Sequence, residues 1–127
     1  MLYLHKKQDM SYSESITNER QFKSTTGFSK VAFKALLEDF EEVYKEKKGK
    51  SYEEYILENL KVEEMPKLKT LEDVLFFVLY QKKNDLIWDC LGFTFKMSGS
   101  RAHELFNRYH LLLECTLEKK SNASSKI

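Results

Sequence analysis

Residues 88–109 read Trp88-Asp89-Cys90-Leu91-Gly92-Phe93-Thr94-Phe95-Lys96-Met97-Ser98-Gly99-Ser100-Arg101-Ala102-His103-Glu104-Leu105-Phe106-Asn107-Arg108-Tyr109, and this stretch decides the fold. Two apolar-periodic segments are separated by about three residues, and the second opens with small polar side chains. That is the pattern of two helices joined by a tight turn, a helix-turn-helix. Ser98 is placed to cap the second helix. Gly92, between Leu91 and Phe93, supplies a small residue where the second helix crosses the first, and Met97 supplies an apolar plug for the turn. Ala102, Leu105 and Phe106 recur one turn apart and face inward, continued by Tyr109, Leu112, Leu113 and Leu117. The opposite face then presents Gly99, Ser100, His103, Glu104 and Asn107, flanked by Arg101 and Arg108. Such hydrogen-bonding and cationic groups read base edges and phosphates. An ordinary helical hairpin with a solvated polar face has the same spacing, so spacing alone leaves both readings open.

Upstream the pattern is also helical. Ser29 is a good N-cap, with Phe28 before it able to staple onto Phe33. Phe33, Leu36, Leu37, Phe40, Val43 and Tyr44 form one apolar stripe, and the Lys45–Lys50 run with Gly49 stops it. Ser51-Tyr52-Glu53-Glu54 has the form of a capping box and opens a short helix through Ile56, Leu57 and Leu60. Pro66 punctuates a Lys-rich connector. Thr70 caps a helix whose run from Val74 to Tyr80 is apolar nearly all round, which marks the buried centre of a small bundle. Lys82-Lys83-Asn84-Asp85 ends it, and a short helix from Leu86 to Phe95 leads into the decisive stretch. Residues 1–21 are polar and aperiodic and read as a loose arm; residues 119–127 read as a disordered tail. The expectation is an all-α small helical bundle containing a helix-turn-helix over residues 22–118.

Composition supports this and narrows the function classes. The chain has 127 residues, 42% hydrophobic and 32% charged, which suits one globular domain with a core. With 4 Gly and 1 Pro it is poor in turn formers, against a sandwich or barrel. Its net charge of +1 names no partner, although the acids concentrate in residues 38–73 between two basic flanks. No stretch is apolar enough to span a bilayer, and Met1-Leu2-Tyr3-Leu4 runs directly into His5-Lys6-Lys7 without the core of a signal peptide. Cys90 and Cys115 lie in apolar helical patterns and read as reduced, packed thiols, so the expected location is cytoplasmic. Paired acids such as Glu41-Glu42 and Glu63-Glu64 read as solvated faces, and His103, His110 and the cysteines lack zinc spacing. His103 reads as a groove-facing donor and His110 as a solvent or capping residue near the helix end. No phosphate loop or nucleophile motif is present, so neither metal nor cofactor is implied.

Three blocks in order carry a family resemblance. Thr26-Gly27-Phe28-Ser29 with Phe33 and Leu36-Leu37 is similar to a T-G-L-S…F…L-L opening. Leu68-Lys69-Thr70-Leu71-Glu72-Asp73-Val74-Leu75 leads on to Leu79-Tyr80, and Leu91-Gly92-Phe93-Thr94-Phe95-Lys96-Met97-Ser98-Gly99-Ser100 is similar to L-G-F-L-F-G-V-S-x-S. Together they resemble the helix-turn-helix domain of DDE-superfamily transposases of bacterial insertion sequences, across roughly residues 22–118. The resemblance implies recognition of terminal inverted repeats in double-stranded DNA. It also implies a catalytic domain with three acidic metal ligands, which this chain is too short to contain; the expectation is therefore a non-enzymatic module working with a separate or downstream catalytic domain. The family's turn glycine is Lys96 here, and its Thr-Val pair is Arg101-Ala102. A non-glycine costs about 1 kcal/mol where positive φ is required. With the last helix in the major groove, Arg101, Asn107, Ser100 and His103 are the expected base readers, and Lys96, Arg108, Lys82 and Lys83 the expected phosphate contacts. A rival reading is a helical protein–protein interaction module or regulator derived from a transposase, favoured by the acidic middle segment.

Overall fold

A helix that is apolar on every side has to be surrounded, and the run from Val74 to Tyr80 makes such a helix. The computed structural model describes residues 11–59 and 68–125, with the side chains of 59 and 121–125 excepted. These residues form an all-α bundle: α1 Glu19–Thr26, α2 Lys30–Lys48, α3 Tyr52–Asn59, α4 Leu71–Asn84, α5 Trp88–Phe95 and α6 Gly99–Ser125. Val74, Leu75, Phe77 and Val78 of α4 are fully buried, with α1, α2 and α6 packed around them. Each such burial contributes about 1.5–3 kcal/mol relative to exposure. No described helix is long and apolar enough to cross a membrane.

The helix boundaries follow local chemistry. Ser29 accepts from the Ala32 N–H, and Thr70 from the Asp73 N–H. Ser51 and Glu54 close a reciprocal capping box: the Glu54 N–H donates to Ser51 Oγ and the Ser51 N–H to Glu54 Oε1, both at 3.1 Å. Gly49 ends α2 in the left-handed conformation, φ 77°. Leu60 and Pro66 lie outside the described residues. Phe28 packs half-buried on the core, while Phe22 is the ring that meets Phe33 edge-on at 5.3 Å.

Four expectations are corrected. Residues 11–21 are docked rather than loose: Tyr12 lies 4.8 Å from the Phe95 ring, and its N–H donates to Asp73 Oδ1. Ser13 is buried and hydrogen-bonds Glu72, and Asn18 caps α1, whose Phe22 is fully buried. The stretch has no period because each anchor is a separate tertiary contact. Residues 119–125 continue α6 instead of fraying, with Lys119 paired to Glu42 and Glu46 and Lys120 to Asp39. Leu117 is 37% exposed and Thr116 is buried in its stead, its hydroxyl donating to the Leu112 carbonyl. Cys90 is exposed rather than packed, on an outer side of α5 that also leaves Phe93 86% exposed.

The joint between α5 and α6 is set by backbone contact. The Met97 N–H donates to the Gly92 carbonyl at 2.8 Å and the Lys96 N–H to the Phe93 carbonyl at 3.3 Å, the two bonds of a Schellman stop. A Cβ on Gly92 would strike the Met97 carbonyl and come within 2.8 Å of the Ser98 carbonyl. Lys96 supplies the left-handed residue, φ 60° and ψ 46°. Ser98 Oγ then accepts from the Arg101 N–H and starts α6. Phe95, the last residue of α5, inserts among Phe76, Phe77, Tyr80 and Tyr12, which fixes the joint to α4.

Two substitutions with opposite signs test this joint. Lys96→Gly removes left-handed strain and is expected to raise stability by about 0.5–1 kcal/mol, after the entropy that glycine adds to the unfolded chain. Gly92→Ala gains helix propensity of about 1 kcal/mol but meets backbone that cannot yield, so a net loss of roughly 1–3 kcal/mol is expected. Denaturant melts of both variants measure this; a Gly92→Ala variant as stable as the parent would refute the close approach.

Candidate nucleic-acid interface

α6 is amphipathic along its described length. Ala102, Leu105, Tyr109, Leu112 and Leu113 are buried, and the row Ser100, Glu104, Asn107 and Leu111 runs along the opposite side, all exposed. Arg101 and Arg108 form one flank and His103 the other. Ser100, Arg101, His103 and Asn107 are thus brought together on one exposed surface at the start of α6, next to the turn. Gly99 is not part of it: this residue is buried, and a Cβ there would strike the Asp89 carboxylate of α5.

The cations on this surface are internally paired. Arg101 Nη1 donates to Glu104 Oε1 at 2.8 Å, and Arg108 Nη2 to Glu104 Oε2 at 3.4 Å. Lys82, from the end of α4, leans onto α6 with Nζ 3.8 Å from Glu114. Lys83 does not join the group, since its side chain lies over Gly27 at the end of α1. Lys96 is exposed at the turn itself. Exposed pairs of this kind are worth about 0–1 kcal/mol each, so an incoming phosphate competes for these side chains at small cost.

The second flank is a column of rings. His103 stacks on Trp88 with centroids 4.5 Å apart, Trp88 meets Phe106 at 5.6 Å, and His110 lies parallel to Phe106 at 5.0 Å. His110 sits mid-helix, half-buried and 3.3 Å from Glu114, rather than near a helix end. His103 borders an open concavity of about 340 Å³ formed with Ile87, Trp88, Asp89, Gly99 and Ser100. Trp88, half-buried against the core, is also the platform on which His103 rests. The pairing of Glu104 with Arg101 and Arg108 was signalled by its spacing from them along the helix, whereas no spacing pointed to the stacking of His103 on Trp88.

Elsewhere the ionisable groups are committed to structure. Burial holds the Asp73 carboxyl above its ordinary range, and both its oxygens accept backbone N–H groups, from Tyr12 and Lys69. Burial likewise pushes the Tyr44 phenol up to about 12 and raises Tyr52, whose hydroxyl donates to the Leu68 carbonyl at 2.6 Å. These phenols stay neutral at physiological pH and act as packing and hydrogen-bonding groups. Among the described residues no three His, Cys, Asp or Glu side chains converge on a metal position. Comparison with protein-family models, curated proteins and solved structures returns no match, so the surface is interpreted from its own residues.

Trp88 is the one tryptophan of the chain and so reports on this flank. His103→Ala is expected to shift its fluorescence to the red as the stacked face opens to water, with stability within about 0.5 kcal/mol of the parent. Emission spectra and thermal melts check this. An unchanged spectrum would mean that His103 does not shield the indole.

Proposed function

We propose that this chain is a duplex-DNA-binding module whose α6 enters the major groove, reading a site of the kind found at the ends of a mobile element. The observation that carries the reading is the single exposed surface at the start of α6, where Ser100, Arg101, His103 and Asn107 stand together beyond a tight turn. Hydroxyl, guanidinium, imidazole and carboxamide are the groups that bond to base edges. Arg101 and Asn107 are the principal base readers, with Ser100 and His103 beside them; Lys96, Arg108 and Lys82 take phosphates. Ser98 serves the backbone and is spent as a cap. The resemblance to insertion-sequence transposases supports terminal inverted repeats as the target, with catalysis left to a separate domain. The proposed role involves no chemical step.

The rival reading, a protein–protein interaction module, is favoured by the exposed apolar residues at and before α5: Ile87, its N-cap, is 70% and Phe93 86% exposed. Apolar side chains in that position suit a protein surface better than a polyanion.

Substitutions separate fold from reading. Leu105→Ala is expected to cost roughly 2–5 kcal/mol of stability, because it empties the buried side of α6. Arg101→Ala and Asn107→Ala should stay within about 0.5 kcal/mol of the parent in stability. Each should lose about 1–3 kcal/mol of binding to the preferred site and relax one base position. Arg108→Ala should weaken all duplexes alike, since a phosphate contact carries no base identity. Thermal melts beside selection from randomised duplexes measure these effects. Full affinity and unchanged preference in both Arg101→Ala and Asn107→Ala would refute α6 as the reading helix and favour the interaction module.

A further inference from the structure

Glu104 places an acid in the middle of a surface proposed to meet DNA, where a free carboxylate is repelled by phosphates. It is one turn beyond Ser100 and one turn before Asn107, in the row opposite the buried side of α6, and its side chain is 53% exposed. Arg101 and Arg108 approach it from neighbouring turns and each takes one of its oxygens, at 2.8 and 3.4 Å. The two guanidiniums offset its charge and hold the carboxylate in one orientation. A carboxylate has about four lone-pair positions, so two bonds leave acceptor capacity turned outward.

The base edges of the major groove make this selective. Guanine presents two acceptors and thymine one, and both repel a carboxylate; adenine places an acceptor beside its amino donor. Cytosine alone presents an amino donor without a neighbouring acceptor of its own. Resting on the reading of α6 as the helix in the major groove, we propose that Glu104 is a specificity-determining residue that selects cytosine at one position of the bound site. Each guanidinium has five N–H donors, so Arg101 and Arg108 can keep their bonds to Glu104 while they meet a base edge or a phosphate, and this allows an acid to stand there.

The test is selection of bound sequences from a randomised duplex pool by the 127-residue chain and by its Glu104→Ala and Glu104→Gln variants. The parent should enrich cytosine at one position. Glu104→Ala should lose that enrichment, with roughly tenfold or more lower affinity for the cytosine-bearing site, while other positions and random duplexes hold or gain slightly. Glu104→Gln, which keeps the shape of the side chain, should move the same position towards adenine, because a carboxamide pairs with the adenine N6 and N7 atoms. Cytosine enrichment retained in Glu104→Ala overturns the proposal. So does a uniform rise in affinity for every duplex with unchanged preferences, which would make Glu104 merely repulsive. A parent that enriches no base at any position overturns the reading of α6 itself, and this assignment with it.

Discussion

The missing side chain at Gly92 is the constraint on which the placement of α6 depends. Because nothing projects from that position, the Met97 and Ser98 backbone can lie directly against α5. The chain then reverses in three residues, with Lys96 accepting a left-handed conformation that a side chain disfavours. Phe95 anchors one side of the joint in the aromatic cluster on α4, and Gly99 lets the other side close over Asp89. Once both ends are held, the direction of α6 is settled, and with it the identity of the residues that face outward. Ser100 and Asn107 share a surface because they stand seven residues apart on α6, and the turn decides which way that surface faces.

Several charges around this frame are paired. Glu104 sits between two arginines, Glu114 lies between Lys82 and His110, and the far half of α6 is tied to α2 through Lys119 and Lys120. Exposed ion pairs add little stability. Their larger effect is on orientation: they hold long side chains near the surface of α6 and lower its net potential. A duplex would therefore be drawn by a few exchangeable cations rather than by a broad basic field. Phe93 on α5 and Ile87 at its N-cap remain as exposed apolar groups that DNA reading does not use.

Most of the fold was legible because it is written in short-range signals. The caps at Ser29, Ser51 with Glu54, Thr70 and Ser98 each close a local hydrogen bond, and the apolar run of α4 can be satisfied only at the centre of a bundle. The positive φ at Lys96 was readable only through the glycine that the resemblance places there. What escaped was non-local. Tyr12, Ser13 and Phe22 have no period, and their burial depends on partners about sixty residues away in α4 and further in α5. The exchange of Leu117 for Thr116 arises where the stripe drifts around the helix, since a threonine can be buried once its hydroxyl bonds back to the preceding turn. At the candidate interface the exposed residues followed from periodicity, whereas the clamp on Glu104 and the stacking of His103 on Trp88 depend on side-chain placement.

The central claim is that α6 binds duplex DNA through a small set of exchangeable cations, and its most direct test is the salt dependence of that binding. A fluorescently labelled duplex titrated with the chain at several salt concentrations should give a linear log–log plot. With about two to four phosphates neutralised by residues such as Lys82, Lys96 and Arg108, the slope should fall between roughly −2 and −4. Absence of binding at low salt to every duplex tried, including the terminal repeats of a transposable element, would contradict the account.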